Sequence, residues 1–141
     1  MKKATMTLLA ALVLAPALAQ AETFQEVFNQ QRALYGKGHE FTFEGKTYKT
    51  YHPEEVEAMA EPTKANAEAL VASAEAKRQE AAAVGYEWRF TGRILKQAQD
   101  ALAEERFQDA MNLAAQAKYQ ARKAVEQQAH VASTWHHAVP E

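Results

Sequence analysis

The order of polar and apolar positions divides the chain into segments of different period. Lys2 and Lys3 precede an apolar stretch over residues 7–19, and Ala19-Gln20-Ala21 has the small-x-small form of a cleavage site. The stretch is shorter than the roughly 20 apolar residues that span a bilayer, and Pro16 interrupts it. Residues 1–21 therefore read as a cleaved signal peptide of the short bacterial kind, which predicts a periplasmic protein. Next, Thr23 and Glu26 stand in capping-box spacing, and Phe24, Val27, Phe28, Leu34 and Tyr35 recur at helical intervals until Gly36. Between His39 and Tyr51 the period falls to two, with Glu44-Gly45 as the turn of a hairpin. A two-residue loop sets Phe41 opposite Tyr48 and Glu40 opposite Lys49. Such a hairpin must pack on a helix or remain a mobile arm, because two strands alone are only marginally stable.

Pro53, Glu54 and Glu55 suit the first turn of a further short helix, which Glu61-Pro62 ends. Residues 63–84 are almost all good helix formers, with a shallow stripe of Ala67, Leu70, Val71, Ala74, Ala81 and Val84 and a stop at Gly85. A second stripe runs through Trp88, Thr91, Ile94, Leu95, Ala98, Ala101 and Leu102. A third runs through Phe107, Ala110, Met111, Ala114, Ala117, Ala121, Ala124 and Val125. The short links at Gly85-Tyr86-Glu87 and Glu104-Glu105-Arg106 force hairpins. The predicted fold is mainly α: an alanine-rich antiparallel three-helix unit preceded by a short helix and a small β-hairpin. The boundaries are a signal peptide over 1–21, the helix, hairpin and short helix over 22–62, the helical domain over 63–128 and a flexible tail over 129–141.

Composition narrows the chemistry. Alanine fills 24 of the 120 residues after the signal, so the helices can approach closely and enclose little volume. Cysteine is absent, which excludes a disulfide, a thiolate metal site, a haem thioether attachment and a persulfide-carrying thiol on this chain. The carboxylates are scattered, and no nucleophile triad or phosphate-cradling glycine loop is present. The expectation is a non-enzyme without a cofactor. His39, His52, His130, His136 and His137 lack the spacing of a metal site on a helix face. The formal charge of −2 becomes −4 once the two lysines of the signal are removed, which disfavours nucleic acid as a partner. The charge is uneven, and Arg89, Arg93 and Lys96 fall near one face of the second long helix.

The segment Gly85-Tyr86-Glu87-Trp88-Arg89-Phe90-Thr91-Gly92 concentrates three aromatics where a simple link would need small polar residues. Three large rings cannot all face one thin core, and tryptophan, tyrosine and arginine dominate binding hot spots. Tyr86, Trp88, Arg89, Phe90 and Arg93 are thus predicted to bind a partner, with the basic edge steering an acidic one.

At these residues the chain resembles the SoxXA-binding proteins, small exported helical subunits that accompany the c-type cytochrome SoxXA in bacterial thiosulfate oxidation. The resemblance covers residues 66–128. It is carried by the alanine-rich approach over residues 72–84, Gly85-Tyr86-Glu87-Trp88-Arg89, Thr91-Gly92, Ile94-Leu95-Lys96-Gln97-Ala98, Phe107-x-x-Ala110 and Ala114-x-x-Ala117-Lys118-Tyr119-Gln120. The chain departs from the family at Phe90, where an acidic residue stands, and at Glu105-Arg106, in place of a Gly-Asp type turn. The resemblance implies a haem-free accessory subunit that binds SoxXA and promotes the joining of thiosulfate to a cysteine of the carrier SoxYZ, through Tyr86, Trp88, Arg89 and Arg93. Two other readings remain open. Leu102-x-x-Glu105-x-Phe107-x-x-Ala110 fits one tetratricopeptide-type hairpin of a general periplasmic adaptor, and the tail histidines suit a metal or haem binder.

Overall fold

The computed structural model describes residues 22–135. The signal-peptide segment, His136, His137 and the end of the tail lie outside the described residues. The elements follow in the order α1 (Phe24–Tyr35), β1 (Glu40–Phe43), β2 (Lys46–Lys49), α2 (Pro53–Glu57), α3 (Lys64–Ala83), α4 (Thr91–Ala103) and α5 (Phe107–Thr134).

The capping box of α1 forms as the spacing predicts: the Glu26 backbone N–H donates to Thr23 Oγ1 at 3.3 Å, and the Thr23 N–H donates to Glu26 Oε2 at 2.7 Å. Glu44 and Gly45 both adopt positive φ, 46° and 77°, as a tight two-residue hairpin turn requires. The register is the expected one, with Phe41 opposite Tyr48 and Glu40 opposite Lys49. The hairpin packs on α1. Phe24 meets the rings of Tyr48 at 4.8 Å, Phe43 at 5.5 Å and Phe41 at 6.0 Å, while Phe28 and Phe41 are buried. Thr50 closes this unit: its hydroxyl donates to the Gly36 carbonyl at 2.7 Å and accepts from the His39 N–H at 2.8 Å.

Helices α3, α4 and α5 run up, down and up, so α3 and α5 lie parallel with α4 against both. Their core joins Ala67, Leu70 and Ala74 to Leu95, Ala98 and Ala101 and to Ala110, Met111, Ala114 and Ala117. A second cluster continues it through Ala81, Ala121 and Ala124. The alanine faces are completely buried, which permits the close helix approach expected of small side chains.

Two boundaries differ from the sequence reading. Trp88 belongs to a non-helical junction, and α4 begins only at Thr91. The cause is the end of α3, where Gly85 (φ 75°) donates to the Ala82 carbonyl and Tyr86 to the Ala81 carbonyl; this closure redirects the chain before a new helix can start. At the other end, α5 does not weaken at Ala129 but continues to Thr134. Ala129 and Ala132 are strong helix formers, and within the last turn the Ser133 and Thr134 hydroxyls donate to the His130 carbonyl, both at 2.8 Å.

The N-terminal segment is joined to α5 by polar contacts. Glu54 is 2% exposed and accepts from Arg122 Nε at 2.6 Å and Nη2 at 3.1 Å. Lys118 pairs with Glu57 at 2.6 Å, and Gln108 donates to the Ala58 carbonyl at 3.1 Å. No described helix is long and apolar enough to cross a membrane.

Candidate interaction surface

The distinctive motif between α3 and α4 divides into residues that brace the junction and residues that leave it. Glu87 reaches back to α3, accepting from Arg78 Nε at 2.6 Å, and Arg78 also pairs with Glu75 at 3.4 Å. The Glu87 contact raises the Arg78 pKa above its already high ordinary value. Thr91 is fully buried and its hydroxyl donates to Gln120 Oε1 on α5 at 3.0 Å. Gly92 makes room for the brace, since a β-carbon there would stand 3.3 Å from Arg78 Nε. Glu87, Thr91 and Gly92 therefore have structural reasons to be what they are.

Of the five predicted partner-binding residues, the structure brings three into one exposed cluster. The guanidinium of Arg93 lies 4.6 Å from the Phe90 ring centre and that of Arg89 lies 5.6 Å from it. Phe90 is 49% exposed despite its size. Neither Arg89 nor Arg93 forms a salt bridge with a described residue, whereas Arg78 and Arg106 each hold carboxylates. A guanidinium that holds no carboxylate keeps its forked N–H donors for one, which suits carboxylate recognition.

Trp88 is turned toward α5, where its indole N–H donates to Gln127 Oε1 at 3.2 Å, but it is still 39% exposed. Tyr86 is the exception. It is half-buried and packs with Val125 against Ala81, Ala121 and Ala124, so much of its ring closes the bundle end.

Sequence reasoning missed the contribution of α5. Its 28 residues make it about 42 Å long, against about 30 Å for the 20 residues of α3, so its last turns pass the bundle end. Val131 and Trp135 follow Gln127 at four-residue steps and share its helix face. Both are exposed, Trp135 by 60%. The four-residue spacing was the available signal, hidden because the segment reads as a tail.

His39 stacks on Tyr35 at 4.2 Å, and His52 lies against Tyr119 at 4.5 Å and Phe28 at 5.5 Å. Among the described residues no three His, Asp or Glu side chains are grouped to hold a metal ion. Comparison of the chain with protein-family models, curated proteins and solved structures finds no match.

Proposed function

We propose that the chain is a non-catalytic periplasmic accessory subunit that binds the c-type cytochrome SoxXA and promotes thiosulfate oxidation on the SoxYZ carrier. The contact set is Trp88, Arg89, Phe90 and Arg93, with Tyr86 supporting it from beneath. The observation that carries the reading is the exposed Phe90 ring between two arginines that hold no described carboxylate. An aromatic and arginine cluster of this kind offers large area, directed donors and electrostatic steering toward an acidic surface. The residues Gly85-Tyr86-Glu87-Trp88-Arg89 and Thr91-Gly92, on which the resemblance to the SoxXA-binding proteins rests, build this same corner. With no cysteine of its own, the chain leaves haem attachment and the sulfur-carrying thiol to its partners.

The test is retention of native periplasmic proteins on the immobilised chain at low salt. The expected result is a c-type cytochrome identified by its Soret band and peptide masses. Trp88→Ala and Arg93→Glu should each weaken retention by about tenfold or more while far-ultraviolet circular dichroism stays constant. A chain that retains no cytochrome at low salt ends the proposal, and a haem-free partner held through the same residues replaces it with the general adaptor reading.

A further inference from the structure

Apart from the α3–α4 junction, the N-terminal segment and α5 enclose a half-open cleft of about 600 Å³, a size typical of small-molecule sites. One wall carries Arg32, Lys37, His52 and Glu55; the other carries Asn112, Gln116 and Tyr119 from α5. Arg32 and Glu55 neutralise each other: Nη1 and Nη2 donate to the two carboxylate oxygens, each at 2.9 Å, and Nη1 also donates to the Thr50 carbonyl. Glu55 further accepts the His52 backbone N–H at 2.8 Å, so its oxygens are committed. Lys37 stands 3.9 Å from Glu55, is largely exposed, and is the surplus positive charge of the cleft.

The facing wall is rich in donors. Asn112 uses only its carbonyl oxygen, accepting from Gln108 at 3.3 Å, and Gln116 makes no side-chain hydrogen bond to a described residue. Their amide groups stand one turn apart on the same face of α5. Beside them the His52 and Tyr119 rings lie against each other, centroids 4.5 Å apart with their planes inclined by 31°, and line the cleft together with Ala58 and Ala115.

We infer that this cleft binds a small organic monoanion, its charged group between Lys37 and the amides of Asn112 and Gln116 and its apolar body against Tyr119, His52, Ala58 and Ala115. One surplus cation selects one negative charge, and two uncommitted amides supply the neutral donors that orient it. The inference is independent of the proposed cytochrome partner, because no residue of the α3–α4 junction lines the cleft.

Titration of the purified chain with benzoate, benzamide and benzylamine, followed by isothermal calorimetry and amide NMR, tests it. Benzoate should bind at least about tenfold more tightly than either isostere, and shift amides of residues 112–119. Lys37→Gln should weaken benzoate by about fivefold or more without affecting benzamide, and Gln116→Glu should abolish benzoate binding. Both positions are exposed, and unchanged melting temperatures verify that the variants fold. Equal affinity for benzoate and benzamide, benzoate binding insensitive to Lys37→Gln, or no binding of benzoate at all each overturns the inference.

Discussion

Glu105 has a φ of 58°, in the left-handed region that glycine occupies freely and other residues occupy at a cost of about 1–2 kcal/mol. The position demands it. Glu105 follows the last residue of the α4 terminus, where its N–H reaches the Leu102 carbonyl and the Arg106 N–H reaches the Ala101 carbonyl. The resemblance implied a glycine-type turn here, and in this chain Glu105 takes up a left-handed conformation. Glu105→Gly should therefore raise stability by about 0.5–1 kcal/mol after the larger unfolded-state entropy of glycine is subtracted, and Glu105→Val should lower it. Urea unfolding with an unchanged m-value is the measurement, and a fall in midpoint for Glu105→Gly would show that the turn carries no strain.

The three long helices are held by a few larger side chains set among many alanines. Leu95 and Met111 are the largest fully buried apolar side chains among the described residues, while Ala98, Ala101, Ala114 and Ala117 are completely buried at the helix contacts. Leu95→Ala should cost about 2–5 kcal/mol through lost transfer energy and a cavity. Ala114→Leu, which adds apolar surface, should nonetheless cost about 1–3 kcal/mol because the facing helix leaves no space for it. Thermal or urea unfolding decides the sign; a stabilising Ala114→Leu would mean that α3 and α4 are not in close contact with α5 at that level. These stripes were legible because burial on a helix repeats every 3.6 residues whatever it packs on. The start of α4 and the end of α5 were less legible: one depends on how α3 is closed, and the other lies in a segment whose apolar stripe has faded although alanine still favours the helix.

The whole molecule depends on α2 being fastened to α5, and that fastening is acid-sensitive. Burial alone would raise the Glu54 pKa, but the hydrogen bonds and charge of Arg122 outweigh it and hold the carboxyl below its ordinary 4.5. Glu55 is lowered in the same way by Arg32, against burial. His52 lies below 6.5 because it is buried and faces Arg32. In each case the unfolded chain takes up protons first as pH falls, so all three groups stabilise the fold less in acid. Stability should be level above about pH 7, decline first below pH 6.5 through His52 and further below pH 4.5 through the carboxylates. Arg122→Met should flatten the lower part of that decline in chemical unfolding followed against pH. Parallel curves for the two proteins below pH 5 would show that the Glu54–Arg122 pair does not contribute to it.

Residues near in sequence, and periodic ones, determined much of this protein by themselves: the capping box, the Glu44-Gly45 turn and its register, the alanine stripes, and the aromatic corner at residues 86–93. Each is decided over distances of a few residues by backbone sterics, hydrogen-bond period or amphipathicity. Tertiary structure alone decided which side of that corner faces outward. It turned Tyr86 inward, left Phe90 exposed beside Arg89 and Arg93, and set the Trp88 indole against Gln127 of α5. It also created the cleft between the N-terminal segment and α5, whose opposing walls lie about 50 or more residues apart in the chain. Contacts at such separations leave no period in the sequence, because what brings them together is the burial and charge pairing of Glu54 against Arg122 rather than any local preference.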